Sequence, residues 1–403
     1  MLTDTQKSIV KSTVPVLREH GVALTSHFYK RMLSINPELK QVFNRGHQEA
    51  GKQQHALATA VLAYAEHIDN PEILKNALVH IANKHVSLGI RAEHYPIVGN
   101  HLLASIKEVL GDAATDALID AWGAAYQQLA DLLIGMETKL YAENIKHGSW
   151  TGWRGFKIVK KVPETDQITS FYLQPVDGGQ LPQFNPGQYI SVRVYVPEWD
   201  LMQPRQYTLS DAPGKETYRI SVKREDQTEQ TPAGRVSNIL HHHYDVGDII
   251  DLAPPAGEFC LDNQNDKPVY LISAGVGITP MISMLTYLAE QDNKRPVAFI
   301  HGTRNRKTHA MFQHLNEIVT KHQNMKKIVF YSNPSTQDQP GLQFDHVGRV
   351  NLKMIEDKLV PDANYYLCGP VEFMKEQGKI LKNLGVPPCN IHVEAFGTGS
   401  LTI

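Results

Sequence analysis

The sequence predicts a multidomain protein: an all-helical domain over 1–147, an antiparallel β-barrel over 151–263 and a doubly wound α/β domain over 266–403. Three observations predict it. Only 4 of the 23 prolines fall within 1–147, where long segments carry helical periodicity; the other 19 follow. Between 153 and 262, short alternating runs such as Tyr189-Ile-Ser-Val-Arg-Val and Tyr218-Arg-Ile-Ser-Val-Lys lie between Pro and Gly, as in an antiparallel barrel. From Pro268 onward the runs Val269–Ser273, Val297–His301, Ile328–Ser332 and Tyr365–Cys368 are apolar and separated by helical stretches, the pattern of a parallel sheet.

Taken in order, the first domain should hold six to eight helices. Pro37 suits the first turn of a short one running to Phe43. From Gly51 to Ile68, the residues Gln53, Leu57, Ala60, Val61, Tyr64 and Ile68 share one helical stripe. A last helix over about 115–143 aligns Leu118, Trp122, Leu129, Leu133, Met136 and Leu140, with Glu137 at the edge of that stripe. His147–Trp153 reads as the joint to the sheet-containing part. There are no internal repeats and no low-complexity tracts.

Composition narrows the function classes. Forty Lys+Arg against 42 Asp+Glu give a net charge of −2, without the basic stripe of a nucleic-acid or membrane-surface binder. No apolar run approaches the ~20 residues of a membrane-spanning helix, and the N-terminus shows no signal core. Three scattered cysteines, Cys260, Cys368 and Cys389, fit a reducing cytosol better than a disulfide framework. A cytoplasmic protein is expected, without nucleic-acid partners or stable membrane insertion.

The first chemical signal is Gly275-Val276-Gly277-Ile278-Thr279-Pro280, directly after a buried strand. Glycines there let the backbone approach a pyrophosphate, and the following helix N-terminus stabilises its charge; an ordinary Gly-rich turn is the competing reading. Arg205-Gln206-Tyr207-Thr208 offers a cation, an aromatic face and a hydroxyl at a strand end. Gly234-Arg-Val-Ser237 opens a helix, and Cys368-Gly369-Pro370 ends the last core strand. In this order the motifs resemble the ferredoxin-reductase superfamily over roughly 153–403. That resemblance implies that Tyr189 and Arg205 through Thr208 hold the flavin of FAD. It gives the pyrophosphate to Gly234 and Ser237, and the nicotinamide dinucleotide to Gly275 through Pro280. Thr208 stands where members more often have Ser, and the hydroxyl is retained.

The helical part contains ten histidines, and a single one is ordinarily surface or structural. Pro37, Phe43, Gln53 and His85, with Tyr29 in an earlier helix, resemble the globin pattern. The two halves together resemble a flavohaemoglobin, a bacterial and fungal nitric oxide dioxygenase, from Phe28-Tyr29 to Glu394-Ala395-Phe396-Gly397. The resemblance implies that His85 binds the iron of haem b, with Tyr95 and Glu137 hydrogen-bonding around it. It places Tyr29, Gln53 and Leu57 in the distal pocket with Phe43 beside them, and Lys84 and Glu394 between haem and flavin, tuning their potentials. Ala395 through Thr398 would contact the flavin, Thr398 replacing a usual Pro. From periodicity alone Glu137 is a solvated flank charge, Tyr95 a core aromatic, Tyr29 a helix-packing tyrosine and Gln53 a polar residue of a helix start.

Electron parity supports the pairing. A nicotinamide gives up two electrons as hydride, haem iron takes one at a time, and a flavin mediates. The implied reaction is conversion of nitric oxide and O2 to nitrate, with NADH or NADPH as donor, in a monomer. The loop His301–Lys307 lacks the usual acidic residue for a ribose hydroxyl; Arg304, Arg306 and Lys307 suit a 2′-phosphate or are equally ordinary exposed cations of a loop, and the resemblance implies NADH first. Alternatives are a hydroperoxide reductase, a haem-based sensor, or an electron-transfer flavoprotein with a degenerate globin. His241-His242-His243, after an expected helix end, reads as exposed polarity.

Overall fold

The structure, a computed structural model, describes residues 2–229 and 231–397. The chain gathers into two units. One holds the chain up to Trp153 together with Ser191–Arg205; the other holds Arg154–Ile190 and Gln206–Gly397.

Among the described residues the first unit holds seven α-helices: α1 (Asp4–Ser12), α2 (Val14–Ile35), α3 (Arg45–Glu49), α4 (Lys52–Glu66), α5 (Lys75–Leu88), α6 (His94–Leu110) and α7 (Asp116–Lys146). Thr3 and Gln6 cap α1 reciprocally, and the Thr115 hydroxyl takes the Leu118 N–H at the start of α7. Pro37–Gln41 is a 3₁₀ turn rather than an α-helix, too short to gain from wider winding. The stripe predicted on α4 is real at Val61 and Tyr64, but the helix stops at Glu66, and Ile68 enters the core from beyond it. Phe28, Met32, Val61, Tyr64, Ile68, Leu102 and Trp122 pack as the main core. A smaller cluster of Leu78, Ala82, Tyr95, Ala130 and Leu133 joins α5, α6 and α7.

Six strands form one sheet in the order β4-β3-β6-β1-β2-β5: β1 (Arg154–Pro163), β2 (Ile168–Pro175), β3 (Tyr189–Val196), β4 (Leu201–Thr208), β5 (Tyr218–Lys223) and β6 (Ile249–Leu252). Just past β4, Leu209 bridges antiparallel to Ile220 on β5, so the two ends of the sheet meet and the barrel closes. Helix α8 (Arg235–His243) follows β5.

The second sheet is parallel, in the order β10-β9-β8-β7-β11-β12, from β7 (Val269–Ala274), β8 (Val297–Thr303), β9 (Met325–Tyr331), β10 (His346–Val347), β11 (Asn364–Cys368) and β12 (Ile391–Glu394). Helices α9 (Ile278–Glu290), α10 (Phe312–Lys321) and α11 (Val371–Asn383) connect it. The chain runs outward from β7 to β10 and returns to β11 beside β7. The order therefore reverses between β7 and β11, where open sheets of this kind bind ligands at their carboxyl ends. Among the described residues no helix is long and apolar enough to cross a membrane.

Candidate functional site

In the first unit, α5 carries His85 to its last turn, and Gly89 ends that helix at φ +74°, a left-handed conformation that glycine adopts freely. Tyr95 stands in the first turn of α6, and Glu137 lies two-thirds along α7. Glu137 is only 2 % exposed, so its carboxylate needs partners. Its Oε1 accepts from His85 Nδ1 at 2.7 Å and from the Tyr95 hydroxyl at 2.5 Å. Burial, reinforced by the bond to Glu137, pushes the Tyr95 hydroxyl far above its ordinary range, so it remains a donor. A carboxylate facing Nδ1 fixes the proton on that nitrogen and leaves the lone pair on Nε2. The residue that periodicity placed on a solvated flank is the hub of this arrangement.

The Tyr29 side of the unit is built differently. Tyr29 is buried on α2, edge-on to Phe28 (5.0 Å between centroids) and Phe43 (5.6 Å). Its hydroxyl has no hydrogen-bond partner among the described residues, and burial holds it well above the usual tyrosine range. Gln53, half-buried at the start of α4, accepts at Oε1 from the Gln48 side-chain amide, while the Gln54 amide donates to the Gln48 backbone carbonyl at 3.0 Å and to its Oε1 at 3.1 Å. The structure thus does not join the amide of Gln53 to the Tyr29 hydroxyl. Leu57 lies one turn on, half-buried against the core. Lys84, half-buried on α5, precedes His85.

In the barrel, Arg205, Gln206, Tyr207 and Thr208 are the last four residues of β4, the first three half-buried and Thr208 buried. An Arg205 Nη donates to the Pro204 carbonyl at 2.6 Å. Tyr189 opens β3 and lies against Gly257, where a Cβ would come within 2.9 Å of its ring. Gly234 is the N-cap of α8. The Ser237 hydroxyl is engaged locally, accepting from Glu225 N–H (3.2 Å) and donating to the Gly234 carbonyl (3.1 Å). His241 departs from the expected exposed triplet. The three histidines form the last turn of α8, where a cation suits the helix dipole. The His241 ring is half-buried, its Nε2 bonded to the Val222 carbonyl at 2.8 Å, while His242 and His243 are exposed.

In the parallel sheet, Gly275 turns at φ +57° and Gly277 packs against the end of β11, where a Cβ would stand 2.2 Å from the Cys368 carbonyl oxygen. Val276 lies in the turn between them. Ile278, Thr279 and Pro280 are buried in the first turn of α9, where proline lacks only an N–H that has no helical partner anyway. Gly369 meets Phe373 and Ala274 closely, and exposed Pro370 caps α11. Glu394 is the register partner of Cys368 across β11 and β12. Burial, with Glu394 adding to it, raises the Cys368 thiol far above its normal range. Ala395 is half-buried, Phe396 and Gly397 exposed; Thr398 lies outside the described residues. Arg304 donates to Gln167 at 3.1 Å, and Arg306 stacks over Phe312 at 4.1 Å. A cleft of about 800 Å³ collects Arg306 and Lys307 with Lys161 and Arg224, alongside Glu164 and Asp166.

Two family models match the chain: Globin over residues 26–133, and the oxidoreductase NAD-binding domain over 271–379. The flavohaemoprotein of Bordetella pertussis is 57 % identical over 404 residues, covering 100 % of both chains. The chain belongs to the flavohaemoprotein family. That of Chromobacterium violaceum is 54 % identical over 99 % of each chain. Among solved structures, a flavohaemoglobin of Malassezia yamatoensis with bound FAD and haem superposes with a TM-score of 0.87 at 29 % identity, over 98 % of this chain and 100 % of that one. The FAD/NAD-binding domain of a Vibrio cholerae nitric oxide dioxygenase gives 0.54 at 37 % identity, over 60 % of this chain and 98 % of that one. A globin module and an oxidoreductase module therefore share one polypeptide.

Two residues of this flavohaemoprotein escaped the sequence reading. Tyr126 donates to the Tyr95 carbonyl at 2.6 Å and pins the turn that presents the Tyr95 hydroxyl. Its signal was Gly99, a mid-helix glycine that weakens α6 by about 1 kcal/mol relative to alanine; a Cβ there would stand 2.5 Å from the Tyr126 ring. Gln48, the partner of Gln53, had no signal. Among the described residues no three His, Cys, Asp or Glu side chains converge as a metal-ligand set, so His85 would serve a metal as a lone imidazole.

Proposed function

We propose that the chain is an NAD(P)H-dependent nitric oxide dioxygenase, with haem b on His85, FAD in the barrel and the dinucleotide at Gly275–Pro280. Its division is 1–147, 151–263 and 266–403. The observation that carries this reading is the buried Glu137 carboxylate holding both His85 Nδ1 and the Tyr95 hydroxyl. The donor set fits a haem iron: an imidazole with Nε2 available and a carboxyl group behind it that strengthens its electron donation. A flavin fits the aromatic, cationic and hydroxyl groups that end β4, its pyrophosphate the N-terminus of α8. Gly275 and Gly277 leave the start of α9 open to a second pyrophosphate.

When bound, the cofactors supply hydride acceptance, its splitting into single electrons, and O2 activation. Overall, two NO and two O2 consume one NAD(P)H and give two nitrate ions, NAD(P)+ and one proton. The chain's own groups do the following. Glu137 and Tyr95 orient the His85 ring and keep its proton on Nδ1. Tyr29 keeps its proton throughout the working pH range and offers it as a hydrogen bond to a ligand gaining negative charge. Gln53, its Oε1 held by the Gln48 amide, offers its own amide to the same ligand beside Tyr29, and Leu57 limits access. Lys84 and Glu394 adjust the potentials. Arg306 and Lys307, in a cleft that also holds Glu164 and Asp166, leave room for NADPH beside NADH. The protein is taken as a cytoplasmic monomer acting on small molecules.

The test is direct. Anaerobic NAD(P)H should bleach the flavin and shift the haem band without added mediator, and NO with O2 should then yield nitrate in equal amounts. Fast turnover with an alkyl hydroperoxide and none with NO would overturn the dioxygenase reading.

A further inference from the structure

Gln203 is a buried polar side chain that the chemistry above does not use. It lies in β4 with none of its surface exposed, and it answers backbone groups on two sides. Its Oε1 accepts from the Arg45 N–H at 3.0 Å, and its Nε2 donates to the Lys40 carbonyl at 3.0 Å and to that of Met202 at 3.1 Å. All four residues belong to the first unit.

The two distant groups are those that local structure leaves unserved. Arg45 is the first residue of α3, so its N–H has no acceptor within the helix, and the Asn44 side chain is already taken by the His47 N–H. Lys40 lies at the end of the Pro37–Gln41 turn, where carbonyls run out of partners. One amide offers a donor and an acceptor at fixed spacing, and a glutamine has the reach to meet both. Lys40 and Arg45 bracket Phe43, whose ring stands edge-on to Tyr29. The Arg45 guanidinium, 4.9 Å over the Trp199 ring, adds a second contact between the same corner and the segment before β4.

We propose that Gln203 is a positioning residue. It locks the Lys40–Arg45 corner, and with it the Phe43–Tyr29 wall, to the strand that continues through Arg205-Gln206-Tyr207-Thr208. The inference rests on the flavin and haem assignments made above. Its consequence is kinetic: Gln203 sets the rate at which one electron leaves reduced FAD and one ferric iron becomes ferrous. It also sets the shape of the pocket around Tyr29.

The experiment uses the full-length protein loaded with haem and FAD. Gln203→Leu keeps the bulk and removes both bonds. Arg45→Pro deletes the N–H from the other side, since proline suits a first helical position and Asn44 is already extended (φ −70°, ψ 102°). Arg45→Gln is the control that loses the ring contact but keeps the N–H. After anaerobic mixing with NADH, flavin bleaching should proceed at the wild-type rate in all three. Haem reduction should slow about tenfold in Gln203→Leu and Arg45→Pro only, the scale expected of small misplacements. The carbon monoxide stretching frequency of the ferrous protein should shift in the same two. The proposal is overturned if Gln203→Leu reduces its haem at the wild-type rate. It is overturned equally if Arg45→Pro matches Arg45→Gln, a comparison that decides the matter even should Gln203→Leu fail to fold. A wild-type protein without a haem band, or whose haem stays ferric under NADH, would instead sink the functional reading beneath it.

Discussion

The helical unit and the parallel sheet build their sites from different material. Around His85, three helices each contribute one side chain, and the buried carboxylate of Glu137 receives the other two. At the carboxyl end of the parallel sheet the shape comes from backbone: Gly275 turning at positive φ, Gly277 seated against the Cys368 carbonyl, and the buried first turn of α9 behind them. A site made of side chains loses its chemistry when an atom is exchanged and keeps its shape. A site made of backbone loses its shape when an atom is merely added.

The largest effect should therefore come from the smallest addition. Gly277→Ala puts a methyl group 2.2 Å from the Cys368 oxygen. Relieving it parts α9 from β11, destabilising the sheet by about 3 kcal/mol. Hydride transfer to flavin, followed by stopped flow, should collapse while the haem band survives; hydride transfer at the normal rate would mean that the close approach is dispensable. In the helical unit, Glu137→Gln keeps the volume and removes the charge. Turnover should fall roughly 10- to 100-fold, as for other groups that orient a metal-bound histidine. The iron–histidine stretching frequency should drop, and an unmoved frequency would return Glu137 to a purely structural role. Tyr29→Phe should accelerate oxygen release about tenfold, the worth of one hydrogen bond of about 1.4 kcal/mol. The contacts with Phe28 and Phe43 would persist, so the melting temperature should hardly change.

The smallest effect separates the two regions by pH. Burial holds His301 down at about 3 and His309 well below its ordinary value. Their folded values lie below the ~6.5 of an unfolded histidine. The stability they contribute is thus complete above about 6.5 and is lost as the pH falls toward 3, because the unfolded chain takes up protons that the folded sheet refuses. Acidification through that window should lower the sheet's melting temperature, and His301→Asn should lessen the drop. A slope unaltered by that substitution would assign the acid sensitivity elsewhere.

The sequence disclosed elements whose signal is local. The proline distribution marked the end of the helical part, period-two runs marked the barrel strands, and the Gly-rich turn marked the start of α9. His85 and its neighbours became legible only through their resemblance to globins. Glu137 was illegible from periodicity because its partners lie 42 and 52 residues away, and a helical stripe cannot tell an edge residue that faces water from one that closes a network. Gly277 was read as making room for a pyrophosphate; what the structure shows is that it makes room for the end of β11, a constraint set by a strand about ninety residues later. His241 looked like the outer part of a polar triplet because no pattern within α8 announces the Val222 carbonyl that receives it.

The bond pair at Gln203 bears on how such genes can be recombined. Judged by the proline distribution, the place to splice a different reductase is the stretch near residue 150, after the long final helix. A chimera joined there would set a foreign strand opposite Arg45 and Lys40, and the two main-chain groups would have to find water or go unmet. A graft that carries the native Ser191–Arg205 along with the helices would keep the corner intact, so the transplantable piece is discontinuous in the gene.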